Sequence, residues 1–214
     1  SPLDMVPNPS PLLVESTEEI AVPTPQGVFG LRAWRFADGA EHISARALDR
    51  DGTPVPAEDG GVPAVRIHSE CATGDIFGSF RCDCGPQLEN GLRIIGHTGG
   101  YLIYVRNHEG RGIGLVNKLR AYALQDAGLD TLDANLALGL DGDMRDYSQA
   151  ALILQELGVN ELRLVTNNPA KQEALESLGL QVTELIPDEI PARVENAHYL
   201  QTKRERMRHV LKSA

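Results

Sequence analysis

A mixed α/β or α+β fold, built as a single compact domain, is what this 214-residue sequence predicts. Two observations carry that reading. Residues 19–50 read as short strands separated by turn signals, which makes the N-terminal third β-rich. After Cys84 the texture changes to strand–helix alternation, with continuous apolar runs followed by apolar residues at helical spacing. The length suits one large domain, and 42% hydrophobic with 23% charged residues is ordinary for a globular chain.

The elements follow in order. Residues 1–18 carry Pro2, Pro7, Pro9 and Pro11 without periodicity and are expected to form a flexible N-terminal arm, leaving 19–211 as the folded domain. Val28, Leu31 and Trp34 belong to strand-like sequence that Asp38-Gly39 interrupts, and Asp51-Gly52 closes the next run. Ala57 to Gly61 reads as a loop and Val62 to Ile67 as a short strand. Leu88, Leu92 and Ile95 lie on one face of a helix from about Pro86 to His97, and Tyr101–Val105 is a continuous apolar strand. Leu115, Leu119 and Tyr122 repeat the helical spacing. Asp146 has the chemistry of an N-cap for a helix that Gly158 stops. Leu162 to Thr166 is a strand, Asn168-Pro169 opens a helix ending at Gly179, and Leu180 to Ile186 returns as a strand. His198 to Leu211 reads as a basic helical C-terminus. No internal repeat is visible.

A formal net charge of −10 argues against a nucleic acid or a membrane surface as a partner held by bulk electrostatics. No apolar run approaches a membrane span, and the N-terminal Ser-Pro-Leu-Asp-Met has no signal-peptide pattern, so a cytoplasmic location is expected. Between Gly61 and Arg120, however, seven Lys or Arg face five Asp or Glu, and that stretch holds every cysteine. A locally basic, metal-capable segment in an acidic protein suits a small polyanionic substrate.

The three cysteines make a poor disulfide framework, because the number is odd and two stand one residue apart. Cys71, Cys82 and Cys84 instead form C-x10-C-x-C in polar surroundings, a pattern suited to zinc. With no fourth cysteine, the site is either closed by a histidine, for which His68 is nearest, or left open for water; merely buried thiols are the plain alternative. Three thiolates around a divalent ion leave an excess negative charge, so nearby cations or a proton acceptor must help it acidify water.

Three further segments can face a phosphate. Glu109-Gly-Arg-Gly-Ile-Gly114 follows a strand and opens a helix, where glycines and unpaired N–H groups admit an anion. Arg111, with Arg66 and Arg106 at neighbouring strand ends, strengthens that reading, although a tight turn alone would explain the glycines. Asp143 and Arg145 lie on a loop before a helix, where a capping turn with a surface ion pair is the plain alternative. Thr166 and Lys171 flank a strand end, although Asn168-Pro169 needs only capping to explain it.

Together these segments resemble GTP cyclohydrolase II. The matching stretches are Arg66-Ile-His-Ser-Glu-Cys-Ala-Thr-Gly-Asp75, Arg81-Cys-Asp-Cys-Gly-Pro-Gln-Leu88 and His108-Glu-Gly-Arg-Gly-Ile-Gly-Leu115. Asn117-Lys-Leu-Arg-Ala-Tyr-Ala-Leu-Gln-Asp126, Asp143-Met-Arg-Asp-Tyr147, Thr166-Asn-Asn-Pro-Ala-Lys171 and His198-Tyr-Leu-Gln-Thr-Lys203 continue the series. The resemblance implies zinc-dependent hydrolysis of GTP to 2,5-diamino-6-(5-phospho-D-ribosylamino)pyrimidin-4(3H)-one, formate and diphosphate, the first step of riboflavin biosynthesis. It assigns Cys71, Cys82 and Cys84 to a catalytic zinc whose water attacks carbon 8. It assigns Arg66, Ile67, His68, Ser69, Glu70, Gln87, Glu109, Gly110, Arg111, Thr131, Thr166 and Lys171 to GTP. Arg145 is matched to a nucleophile on the α-phosphorus, Asp143 to its proton acceptor, and Tyr122 to a residue supporting the ring chemistry. Mg2+ with the triphosphate and a homodimer are implied as well. Two departures stand out: Asn107-His108 precedes Glu-Gly-Arg where shorter members have one Gln, and Asp188 follows Pro187 where an apolar residue is common. Some relatives carry a fused dihydroxybutanone-phosphate synthase domain; residues 1–60 are too few for one, so a monofunctional protein is expected.

Overall fold

The computed structural model describes residues 12–58, 61–106, 114–128 and 144–190, the side chains of 144–146 apart. Its centre is an eight-stranded mixed sheet. Four antiparallel strands come first: β1 (Leu13–Ser16), β2 (Ile20–Thr24), β3 (Gly27–Phe36) and β4 (Glu41–Leu48). β1 and β2 follow one another along the same edge of β3, and β4 pairs with its other edge. Then come β5 (Ala64–Ser69), α1 (Ala72–Asp75), α2 (Cys84–Thr98), β6 (Gly100–Val105), α3 (Leu115–Asp126), α4 (Met144–Glu156), β7 (Glu161–Val165), α5 (Pro169–Ser177) and β8 (Gln181–Ile186). β6, β5, β7 and β8 pair in parallel, and β6 joins this half to the antiparallel half through β4. The expected β-rich third followed by strand–helix alternation is what the chain forms.

Two of the expected boundaries move. Part of the expected arm is strand: Leu13 pairs with Phe36 and Ser16 with Trp34, and the Glu15 carboxylate accepts from Arg35 at 2.8 Å. The prolines that suggest an arm stop at Pro11, so Leu13–Ser16 keeps every N–H that a ladder needs. α4 begins at Met144, so Asp146 falls inside its first turn and is not its N-cap. Asn168, by contrast, caps α5 as expected, its side chain accepting from Ala170 N at 3.0 Å with Pro169 at the first helical position. The expected helix at 198–211 lies outside the described residues.

The two faces of the sheet bury separate cores. On one, Val65, Ile67, Ile103 and Val105 pack with Ile153 and Leu154 of α4 and Leu175 of α5. On the other, Phe29, Ala64 and Leu102 pack with Ile95, and Leu88 and Leu92 of α2 lie against them. Side chains alternate along a strand, so Arg66 and His68 share the α2 face with Ala64. They are the polar interruptions of a strand buried along most of its length. β6 starts tightly against β5, since a Cβ on Gly100 would stand 1.9 Å from the Ala64 carbonyl oxygen.

Arg66 is 5% exposed and ties three elements together. Its guanidinium donates to the Val165 carbonyl at 3.2 Å and to Gln87 Oε1 at 3.4 Å, and lies 3.4 Å from the Asp188 carboxylate. Its aliphatic stem runs against Gly91, where a Cβ would come within 3.2 Å. Asp188 is 1% exposed and accepts from Asn90 Nδ2 at 2.6 Å, while its backbone N–H donates to Asn167 Oδ1 at 2.9 Å. Burial pulls the Arg66 pKa below its ordinary value and the Asp188 carboxylate works against that pull. Asp188 therefore has a structural account: it is the counter-ion of a buried arginine. Asp188→Ala, which strands that arginine, should cost about 3–5 kcal/mol in chemical denaturation. Arg66→Met with Asp188→Leu should recover most of the loss, since no buried charge is then left unpaired.

Candidate metal centre and active site

The carboxyl ends of β5, β6 and β7 open on the same side of the sheet, where parallel α/β sheets place their ligands. At the end of β5 the Glu70 N–H still pairs with the Val105 carbonyl at 2.8 Å. The chain then turns through the single turn of α1 and returns so that Cys84 is the first residue of α2. Local geometry thus folds a ten-residue spacer back on itself and brings Cys71, Cys82 and Cys84 together. Their three sulfurs lie within 4.8 Å of one another, and among the described residues they alone make up this metal-capable group. Cys71 Sγ and Cys82 Sγ are 3.7 Å apart, too far for a disulfide, and all three thiols are free.

Gly74 makes the cluster possible. A Cβ there would stand 2.8 Å from Cys82 Sγ, 2.9 Å from Cys84 Cβ and 3.3 Å from Cys71 Sγ. The glycine leaves the space into which the three side chains converge. Hydrogen bonding from Cys82 and Cys84 holds the Cys71 thiol far below its usual pKa, and Lys118 Nζ, 3.0 Å from its sulfur, adds to that. Cys82 and Cys84 are pushed up, chiefly by hydrogen bonding with Cys71 and, for Cys84, next by Cys82, with burial adding to both. Metal ligation requires thiolates, so metal uptake at this cluster should be accompanied by proton release.

Behind Cys71 stands Asp75, whose side chain is 4% exposed. It accepts from the Cys71 N–H at 3.1 Å and the Tyr104 hydroxyl at 2.7 Å, and lies 3.0 Å from His68 Nε2. The His68 ring stacks on Tyr104 at 5.7 Å. His68 is therefore engaged with Asp75 and is not a member of the sulfur cluster, so the closed Cys3His alternative gains no support. Its Nδ1 is buried without a hydrogen-bond partner among the described residues.

α3 closes the other side. Its buried face is Lys118, Ala121 and Gln125, whereas Leu115 and Leu119 are 42% and 48% exposed. The expected helix is present, but polar residues make its inward face. Arg81, next to Cys82, lies 4.2 Å over the Tyr122 ring and donates to Asp126 at 3.1 Å and Gln125 Oε1 at 3.2 Å. Tyr122 is half-buried, and burial raises its pKa.

The expected substrate contacts separate into three groups. Arg66, His68 and Gln87 lie on the α2 face near the cluster, with Ser69 and Glu70 at the end of β5. Ile67 points into the core on the opposite face, so only its backbone faces the site. Thr166 is 5% exposed and its hydroxyl accepts from Asn168 N at 3.0 Å, in the turn that also fixes Lys171 N on the Asn168 carbonyl. Glu109, Gly110, Arg111, Thr131, Asp143 and the Arg145 side chain lie outside the described residues. Sequence reasoning passed over Lys118 and Asp75 as individual actors and had no role for Asp188. Only for Asp188 was there a signal, an acidic residue in an apolar setting.

A family profile described as GTP cyclohydrolase II matches residues 15–187. The chain is 52% identical over 200 residues to the riboflavin biosynthesis protein RibBA of Rhodococcus jostii strain RHA1, covering 92% of this chain and 47% of that one. The protein of the same name from Rhodococcus erythropolis strain PR4 is 51% identical over 195 residues, covering 90% and 45%. That from Mycobacterium tuberculosis strain CDC 1551 is 50% identical over 199 residues, covering 92% and 46%. The chain thus spans about half the length of the curated relatives it matches. A solved structure, RibBX, a two-domain 3,4-dihydroxy-2-butanone 4-phosphate synthase from A. baumannii, covers 85% of this chain and 41% of its own at 19% identity and a TM-score of 0.40, too slight a likeness to inform the fold. With the cysteine cluster at the sheet's carboxyl edge and a profile match across most of its length, the chain belongs to the GTP cyclohydrolase II family.

Proposed function

We propose that this chain carries out the GTP cyclohydrolase II reaction, converting GTP to 2,5-diamino-6-(5-phospho-D-ribosylamino)pyrimidin-4(3H)-one, formate and diphosphate at the start of riboflavin biosynthesis. The observation that carries the reading is the convergence of three thiol sulfurs within 4.8 Å at the carboxyl edge of the parallel strands. A set of soft thiolates around the cradle of Gly74 fits zinc. Zinc bound by Cys71, Cys82 and Cys84 would supply Lewis acidity and an acidified water for hydrolysis at carbon 8 of the purine.

The remaining work falls to the protein. Arg66 keeps a buried Nε–H without a hydrogen-bond partner among the described residues. That guanidinium can steady negative charge on the substrate without moving, because Asp188 and Val165 hold it. Gln87 presents an amide beside it, and Tyr122 supports the ring chemistry from α3. Glu109, Gly110, Arg111 and Thr131, with Thr166 and Lys171, complete the GTP contacts, and Mg2+ accompanies the triphosphate. Arg145 acts on the α-phosphorus; a guanidinium is a poor nucleophile, so a covalent role requires Asp143 to draw off its proton. The reading includes a cytoplasmic homodimer, for which the exposed Ile76, Phe77 and Phe80 offer apolar surface. It includes no membrane or nucleic-acid partner, in keeping with the net charge of −10 and with the lack of any sufficiently long apolar helix among the described residues.

Incubated with GTP, Zn2+ and Mg2+, the purified chain should release formate and diphosphate and yield the diaminopyrimidinone by mass spectrometry. It should contain about one zinc per chain by elemental analysis. Accumulation of the ring-opened formamide without formate would contradict the complete reaction. ATP should be rejected by about 10^4-fold or more in kcat/KM, because a site built to hydrogen-bond guanine leaves buried polar groups unmet with adenine.

The two bond-breaking events should separate by mutation. Cys84→Ser should abolish formate release and leave some diphosphate release. Arg145→Ala should stop both if attack on the α-phosphorus comes first, and should only slow diphosphate loss if the side chain is an electrostatic clamp. Formate at the wild-type rate from folded Arg145→Ala rules out the covalent-first order.

A further inference from the structure

The charge of the cysteine cluster leaves something for the protein to supply. Three thiolates around a divalent ion carry one negative charge in excess, and that excess lies in a partly buried site where it is costly. Three cations of the described residues stand near the sulfurs. Arg66 is ion-paired with Asp188 and Arg81 with Asp126. The ammonium of Lys118 meets a sulfur directly, Nζ lying 3.0 Å from Cys71 Sγ.

Its setting is unusual for a lysine. The side chain is 4% exposed on the inward face of α3, whereas lysine stems normally run along apolar surface and deliver the charge to water. Burying an ammonium is costly unless an acceptor meets it, and one acceptor here is the sulfur of a candidate metal ligand. The same helix presents Tyr122, whose ring centroid is 6.0 Å from the ammonium, and Tyr122 is pinned from its other neighbour Arg81 at 4.2 Å. The position of Lys118 is therefore fixed by the docking of α3 on the cysteine loop.

We propose that Lys118 is a positioning residue of the metal centre: its ammonium holds Cys71 Sγ in the cluster and cancels the excess charge of a divalent ion bound by three thiolates. The inference rests on the reading that the cluster binds a metal. It adds to that reading a determinant of metal retention outside the cysteine motif. It also ties the centre to α3, the helix that presents Tyr122.

The test measures binding and spectra on the full chain. Apparent zinc affinity is taken by competition with a chromophoric chelator at fixed pH for wild type, Lys118→Met and Lys118→Arg, with folding checked by circular dichroism. The sulfur-to-metal charge-transfer band is recorded after Co2+ substitution. Lys118→Met should lose about 10–100-fold in affinity, as expected for partners of metal ligands. Its charge-transfer band should move to longer wavelength, because a sulfur without its cationic donor gives up electron density more easily. Lys118→Arg, which restores the charge, should stay within a few-fold of wild type. A folded Lys118→Met with wild-type affinity and an unshifted band overturns the proposal. So does equal weakening in the Arg and Met variants, which would make the effect one of packing. If Lys118→Met does not fold, Lys118→Ala is measured in graded ethylammonium chloride against equal sodium chloride. Affinity must then rise with the added ammonium, and a flat response overturns the proposal. A wild-type chain that takes up no metal defeats the metal reading itself, and this proposal with it.

Discussion

The parallel pairing of β5 with β6 is the constraint on which the site depends. Ala64 faces Gly100 and Ser69 faces Val105, so six consecutive residues of each strand are locked in one register. A slip by one residue would turn Val65 and Ile67 toward α2 and drive Arg66 and His68 into the apolar core beneath α4. The register also decides where β5 stops, hence where the chain is released to turn back toward Cys71. The Cys71–Asp75 turn and the start of α2 are then short-range consequences, held by the Asp75 carboxylate and by the space at Gly74. The chemistry of the centre is local, but its location is set by the sheet.

That arrangement carries a concentration of buried charge. Arg66, Asp188 and Lys118 are all buried in or beside the α2 layer, where burying charge is costly. The molecule offsets part of the cost by meeting each charge with a partner of opposite sign. Asn90 and Asn167 fix the Asp188 segment beyond β8, so the counter-ion arrives in a set orientation. Preorganised dipoles of this kind are what a site needs if charge develops during a reaction, since nothing has to rearrange.

What could be read from the sequence follows from how local the governing physics is. α2 was legible because it buries one face, and burial imposes a period; β6 was legible because a strand covered on both faces is a continuous apolar run. Asn168-Pro169 was legible because capping is settled within three residues. The cysteines declared a metal-capable group through spacing alone. Residues 13–16 were not legible, because a strand of four residues is stabilised by the partner it finds in β3 and carries little pattern of its own. The partnership of Arg66 with Asp188 depends on β5, β7 and β8 meeting, and no window of sequence contains it. The role of Asp75 behind Cys71 lay within a few residues of the ligand, yet an aspartate in a turn has many uses and only the fold chooses among them.

α3 reverses a familiar expectation about which residues a helix can spare. Its leucines and valine are exposed, and among the described residues its contacts include an ammonium, an amide and a cation–π stack. Contacts of that kind bury little hydrocarbon, so they add little to the heat capacity of unfolding and respond more to ionic conditions than a greasy interface would. Drift in its amino acids would be tolerated at Val116, Leu119 and Leu124 before it was tolerated at the lysine and glutamine underneath.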